Sequence, residues 1–142
     1  MGLWVSHGCW SGSYSAFLRW RHTLARAAGY RIREAIPEER AAGHYLPSVD
    51  IHWEAFEDKN YLGEWDSPPG DDPLLFLLVH SDYDGVIHPQ QGIHIARRLE
   101  QLTPLLDESE SGGHIDSMRA VTQRFIKGLQ TAAAAGEDVE FG

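Results

Sequence analysis

HIDSMRAVTQRFIKGLQTAAAAGEDVEF, residues 114–141, decides the fold class. Read at 3.6 residues per turn, Ile115, Met118, Thr122, Phe125, Leu129 and Ala132 form one stripe, the signature of a helix with one face in a core. Gly136 is the stop expected where a helix ends in a left-handed residue. The alternation Val139, Glu140, Phe141 then predicts a short terminal strand.

The same mixture continues upstream. Gln90 to Leu106 places Ile95, Leu99, Leu102 and Leu106 on one face, with Pro104 ending or bending that helix. Glu108 to Gly113 is a polar linker. Asp72-Pro73 can open a helix, and Leu74 to Leu78 contains no β-branched residue, so a short buried helix is expected there. Ser13 and Gly29 bracket a further helix as N-cap and stop. Phe17, Leu24 and Ala28 lie on one side of it, and Arg19, His22 and Arg26 on another. Residues 1–12 read as an ordered loop or short strand. Residues 31–71, broken by four prolines, form an irregular insert in which Val49, Ile51 and Trp53 alternate as in a strand. The expected fold is one compact α+β domain over residues 1–142, predominantly helical with a few short strands.

Composition narrows the function classes. With 42% hydrophobic and 23% charged residues the chain can bury an ordinary core. Its longest apolar run, Leu74 to Val79, is far short of a membrane span. No signal peptide pattern opens the chain, and one cysteine cannot make an internal disulfide, so a cytoplasmic protein is expected. A net charge of −9 argues against direct binding to nucleic acid. The charge is lopsided, though. Residues 1–33 hold Arg19, Arg21, Arg26, Arg31 and Arg33 and no acid, a +5 segment joined to a remainder of −14. That asymmetry fits either a local anion site or arginines packed against the acids.

His80-Ser81-Asp82-Tyr83-Asp84-Gly85 is the sharpest motif. An imidazole and two carboxylates at alternate positions can converge on a cation. As an EF-hand loop it fails at both ends, with His80 at position 1 and Gln91 at position 12 where a bidentate Glu is required. It also resembles the first motif of the DHH phosphoesterases, but no Asp-His-His follows. A structural turn, with Asp82 and Asp84 capping amides and Gly85 reversing the chain, stays open beside a ligand pocket and a metal site. No metal or other cofactor is assigned, and His80, Asp82 and Asp84 are the ligands if one binds.

Ser6-His7-Gly8-Cys9-Trp10-Ser11-Gly12-Ser13-Tyr14 is the second constellation. Small residues allow close backbone approach, Trp10 and Tyr14 offer faces for a base, and Arg19 and Arg21 can contact phosphate. The same aromatics can equally be core. Cys9, His7 and Asp82 are the types of a nucleophilic triad, but a free Cys is usually buried and inert. His22, His44, His52, His88 and His94 show no zinc spacing. His114, after Gly112-Gly113, is placed to face a pocket. Met1-Gly2-Leu3-Trp4-Val5-Ser6 fits a myristoylation pattern only formally.

The opening Ser-His-Gly-x-Trp-x-Gly-x-Tyr-Ser-Ala-Phe-x-Arg-Trp-Arg, the central His-Ser-Asp-x-Asp-Gly and the tail Phe-Ile-x-Gly-Leu resemble small proteins encoded by tailed phages and bacteria. The similarity covers both ends and the centre and leaves out Ile32 to Asp71. Those proteins tend to carry Asp at the position of Trp4 and Cys at that of Tyr83, so any chemistry resting on those groups is absent here. The resemblance implies a setting and no particular reaction. It shares His7, Trp10, Tyr14, Arg19, Trp20, Arg21, His80, Asp82, Asp84 and Gly85 with the residues already singled out. The expectation is a small-molecule binding protein that sequesters a nucleotide-type ligand, such as a defence signal, through His7, Trp10, Tyr14, Arg19, Arg21, His80, Asp82 and Asp84. A homo-oligomer with a pocket shared across its interface is compatible with this. The alternatives are a metal-dependent phosphoester hydrolase built on His80, Asp82 and Asp84, and an acidic protein–protein inhibitor.

Overall fold

The computed structural model describes residues 2–29, 31–33, 48–50, 72–80, 85–106 and 117–142. Their order is β1 (Gly2–Val5), β2 (Trp10–Ser13), α1 (Tyr14–Ala27), β3 (Arg31–Arg33), β4 (Ser48–Asp50), α2 (Leu74–Val79), β5 (Val86–Ile87), α3 (Pro89–Leu102), a 3-10 turn (Thr103–Leu105), α4 (Met118–Ala135) and β6 (Val139–Glu140). The fold is α+β, with helices predominating. No helix among the described residues is long and apolar enough to cross a membrane.

The helix limits follow from local chemistry. Ser13 Oγ accepts the Ala16 N–H at the start of α1, and Gly29, at φ 91°, turns the chain out of it. Ser117 Oγ does the same for Ala120 N–H at the start of α4, and Gly136 closes that helix in the left-handed region. At α2 the cap is Pro73, one residue later than expected, and Asp72 Oδ1 accepts the Leu74 N–H at 2.9 Å. Pro104 converts the end of α3 into a 3-10 turn, because it has no N–H to continue the ladder. The predicted apolar stripes are largely the buried ones: Ile95, Leu99, Leu102 and Leu106 near α3, and Thr122, Phe125, Leu129 and Ala132 in α4, with Met118 half-buried and Ile115 outside the described residues.

The sheet was less legible. Residues 1–12 hold a hairpin, β1 against β2, with Val5 opposite Trp10. Its turn, Ser6 to Cys9, has φ 60° at His7 and 73° at Gly8, and Cys9 N–H donates to Ser6 O at 3.2 Å. Two left-handed central residues are what a type I′ hairpin turn requires. The strand expected around Val49 is present as β4, paired with β3, while Ile51 and Trp53 lie outside the described residues. β3 and β5 were not foreseen.

The terminal strand is central. Val86 and Ile87 pair with Glu140 and Val139 on one edge of β6. On its other edge Trp4 and Gly142 exchange both backbone hydrogen bonds, at 3.0 and 2.8 Å, and Ser6 N–H donates to Glu140 O at 2.9 Å. The hydrogen bonds thus run β2–β1–β6–β5. One rung differs: the Ser6 carbonyl already closes the hairpin turn, and the Ser6 hydroxyl accepts Glu140 N–H instead, at 2.8 Å.

α4 packs against this sheet and against α3. Trp20 is fully buried, 4.7 Å from Phe125 and 5.5 Å from Trp10 between ring centroids. Its Nε1 donates to Thr122 Oγ1 at 2.9 Å. Gly128 of α4 lies so close to the hairpin turn that an added Cβ would collide with Cys9 Sγ and come within 2.9 Å of His7 O. Any side chain there would push the turn off the helix.

Candidate functional site

Trp10, Arg21 and His80, expected in a ligand pocket, lie in the interior. Trp10 is buried, stacked on Trp20 at 28° and edge-on to Phe17 at 5.1 Å. Its ring is therefore occupied by neighbouring aromatics and does not stand open to a base. Arg21 Nη1 donates to Leu77 O, Leu78 O and His80 O, at 3.4, 3.2 and 2.7 Å. They lie at the C-terminal end of α2, where Leu77 O also takes the His80 N–H at 3.3 Å and a cation opposes the negative end of the dipole. The guanidinium lies 4.7 Å from the Phe17 ring centroid, a cation–π contact that helps a charge tolerate burial. Arg21 is thus a helix cap inside the core.

His80 has a comparable position. Its ring stacks on Phe141 at 4.2 Å, and Nε2 donates to Val86 O at 3.0 Å. That nitrogen is engaged and is not offered to a metal. Gly85, at φ 91°, tucks beneath the ring, and a Cβ there would stand 3.2 Å from His80 Cε1. The two ends of the His80–Gly85 motif are therefore joined across it. Asp82 and Asp84 lie outside the described residues, as do His44, His52 and His114. Among the described residues no three His, Cys, Asp or Glu side chains gather as a metal site would require.

Two expected residues remain nearer the surface. Tyr14 is half-buried at the start of α1, and Arg19 is exposed one turn on, its Nε donating to Ser15 O at 3.5 Å. His22, between them and the core, is buried. Desolvation first, then Arg26 and Arg21, hold its imidazole below the ordinary histidine range and so neutral. Burial pushes the Cys9 thiol up to about 12. A thiol that keeps its proton is no nucleophile, which removes the Cys-His-Asp reading.

His7 is brought to a place the sequence did not indicate. Its Nδ1 is 2.9 Å from Ser6 Oγ and its Nε2 is 3.1 Å from Glu137 Oε1. The next residue, Asp138, meets His88 Nδ1 at 3.0 Å. The acids come from the segment between α4 and β6, 130 residues from His7, and no local spacing reveals such a pairing.

Two grooves flank α3. One, of about 440 Å³, runs along Glu100, Thr103, Pro104, Arg119, Gln123 and Ile126. The other, of about 420 Å³, is formed by Asp72 and Pro73 with His94, Arg97, Arg98 and Gln101. In the second, Asp72 takes Arg98 in a two-pronged contact, Nε to Oδ1 at 3.1 Å and Nη2 to Oδ2 at 3.3 Å, while Arg98 Nη1 donates to Gln101 Oε1 at 3.0 Å. His94, Arg97 and Gln101 follow at i, i+3, i+7, so they share one helix face. His94 and Arg97 are exposed. Neither makes a hydrogen bond or ion pair in the described structure. The i, i+3 pattern was available in the sequence; the groove beside it was not.

Comparison of the chain with protein-family profiles, with characterised proteins and with solved structures finds no match.

Proposed function

We propose that the protein binds a small anionic molecule of the nucleotide type, reversibly, in the groove between the start of α2 and the outer face of α3. The observation that carries this reading is an exposed cation on the wall of a groove. Asp72 neutralises Arg98 and fixes its guanidinium, whereas Arg97 points its charge from the same wall with no ion partner among the described residues. An incoming phosphate can therefore be met by Arg97, with His94 and Gln101 as further hydrogen-bonding groups. A groove of about 420 Å³ falls within the range of about 300–1,000 Å³ typical of small-ligand sites.

The basic N-terminal segment contributes differently from expectation. Trp10 and Arg21 act in the core, leaving Arg19 as its exposed cation among the expected site residues. The resemblance to phage-encoded proteins supplies the setting, in which such a protein withdraws a nucleotide signal from solution without consuming it.

The test is to follow the ligand's fate. The protein is incubated with a pool of linear and cyclic nucleotides, filtered, heat-denatured, and the small molecules are identified by mass spectrometry. The expected result is one nucleotide depleted before heating and returned intact, with Arg97→Ala weakening its binding at least tenfold. Depletion unchanged in Arg97→Ala, or no depletion at all, rejects the reading. Conversion to a product would replace binding by catalysis.

A further inference from the structure

Ser6, His7 and Glu137 form a hydrogen-bonded relay. The Glu137 carboxylate accepts from His7 Nε2–H at 3.1 Å. In the tautomer that carries its proton on Nε2, the ring presents Nδ1 as an acceptor, and the group 2.9 Å from it is the Ser6 hydroxyl. Glu140 N–H donates to the same Ser6 oxygen at 2.8 Å, in the direction that stabilises negative charge developing there. Two of the hydroxyl's hydrogen-bonding positions are thus filled, its proton on Nδ1 and one lone pair on Glu140, and its second lone pair remains. The order hydroxyl, imidazole, carboxylate is that of a base-activated serine, with the two ring nitrogens exchanged relative to the familiar triad.

The local fold supports this order. The left-handed turn at His7 and Gly8 holds neighbouring side chains in contact, and Ser6 lies at a strand end just before it. Ser6 is 8% exposed, the His7 side chain 19% and that of Glu137 62%, so the relay runs from the edge of the core to solvent.

We propose that Ser6 is a nucleophile toward small activated carboxylic esters, with His7 as its general base and Glu137 as the residue that positions His7. The steps balance with water as the only co-reactant. Ser6 Oγ bonds to the acyl carbon as its proton passes to Nδ1. The leaving alcohol departs with that proton. Water then gives a proton to Nδ1 and attacks the acyl carbon, the Oγ–acyl bond breaks, and Ser6 recovers its proton from Nδ1. Glu137 holds Nε2–H throughout and faces the imidazolium that forms. This proposal is independent of the groove beside α3.

The test uses the full chain with a fluorophosphonate probe, mass mapping of the adduct and p-nitrophenyl acetate as substrate. The expected result is a single adduct on Ser6, lost in Ser6→Ala and formed at least tenfold more slowly in His7→Asn. Ser6→Ala also strips the acceptor from Glu140 N–H, so Glu137, on the surface, carries the decision. Glu137→Asp should recover part of the rate and Glu137→Gln should not. A purely structural tie predicts the opposite, since Gln also accepts the Nε2 hydrogen bond. No adduct, an adduct elsewhere, or wild-type labelling in Glu137→Gln overturns the proposal.

Discussion

Arg21 and Arg97 are the same side chain in opposite situations. Arg21 stands in a segment without acids and among aromatics, where sequence logic expects a phosphate contact. The fold turns it inward onto three carbonyls at the end of α2. Arg97 stands in an ordinary amphipathic helix beside another arginine, and it is exposed with no ion partner among the described residues. A cation's availability is set by what already holds it. Asp72 and Gln101 hold Arg98, helix carbonyls hold Arg21, and nothing among the described residues holds Arg97.

If the N-terminal segment is core, its aromatics should dominate stability. Trp20→Ala removes a fully buried ring touching Trp10, Phe17 and Phe125, and a hydrogen bond to Thr122. The expected loss is about 3–5 kcal/mol in chemical denaturation. A loss below about 1 kcal/mol would return these aromatics to the surface and to ligand stacking.

Arg21→Met comes next. It keeps much of the buried stem and removes the cap on α2, and a hydrogen bond involving a charged group is worth about 1.5–3 kcal/mol. We expect a loss of that order, measured by urea unfolding, with ligand affinity unchanged under conditions where the variant is folded. Selective loss of affinity at full stability would make Arg21 the binding cation and reverse the comparison.

His22 sharpens the electrostatic side. Its pKa is lowered in the folded protein by burial, Arg26 and Arg21, whereas the unfolded chain titrates near the ordinary histidine value of 6.5. The unfolded state therefore binds the proton first, so this contribution is present above about pH 6.5 and is lost as the pH falls below it. The difference in unfolding free energy between wild type and His22→Gln should shrink as pH drops through that window. A difference that stays constant would place His22 in water.

Arg97→Ala should have the smallest structural effect of the series, within about 0.5 kcal/mol of wild type by thermal or urea unfolding. A larger loss would mean that Arg97 supports the fold, as Arg21 does.

The helices were legible because their determinants are local. Ser13, Ser117, Gly29, Pro104 and Gly136 act within a few residues of themselves, and periodicity identifies the buried face. The sheet was not, because β6 pairs with β1 from the other end of the chain and with the two-residue β5, which has no pattern to detect. The site was only partly legible for the same reason. The N-terminal motif joins His7, Trp10 and Arg21 by closeness in sequence, yet packing sends Trp10 onto Trp20, Arg21 onto α2 and His7 onto Glu137. Glu137 itself looked like one more acid in a polar tail. Of the central motif, His80 and Gly85 have structural duties visible here, and Asp82 and Asp84 lie outside the described residues.

The most direct test of where an anion binds is a titration of the ¹⁵N-labelled protein with AMP, followed by backbone amide NMR shifts. The account predicts that the shifts concentrate at residues 72–74 and 94–101 and disappear in Arg97→Ala. Shifts centred on residues 6–21, or none at millimolar AMP, would contradict it.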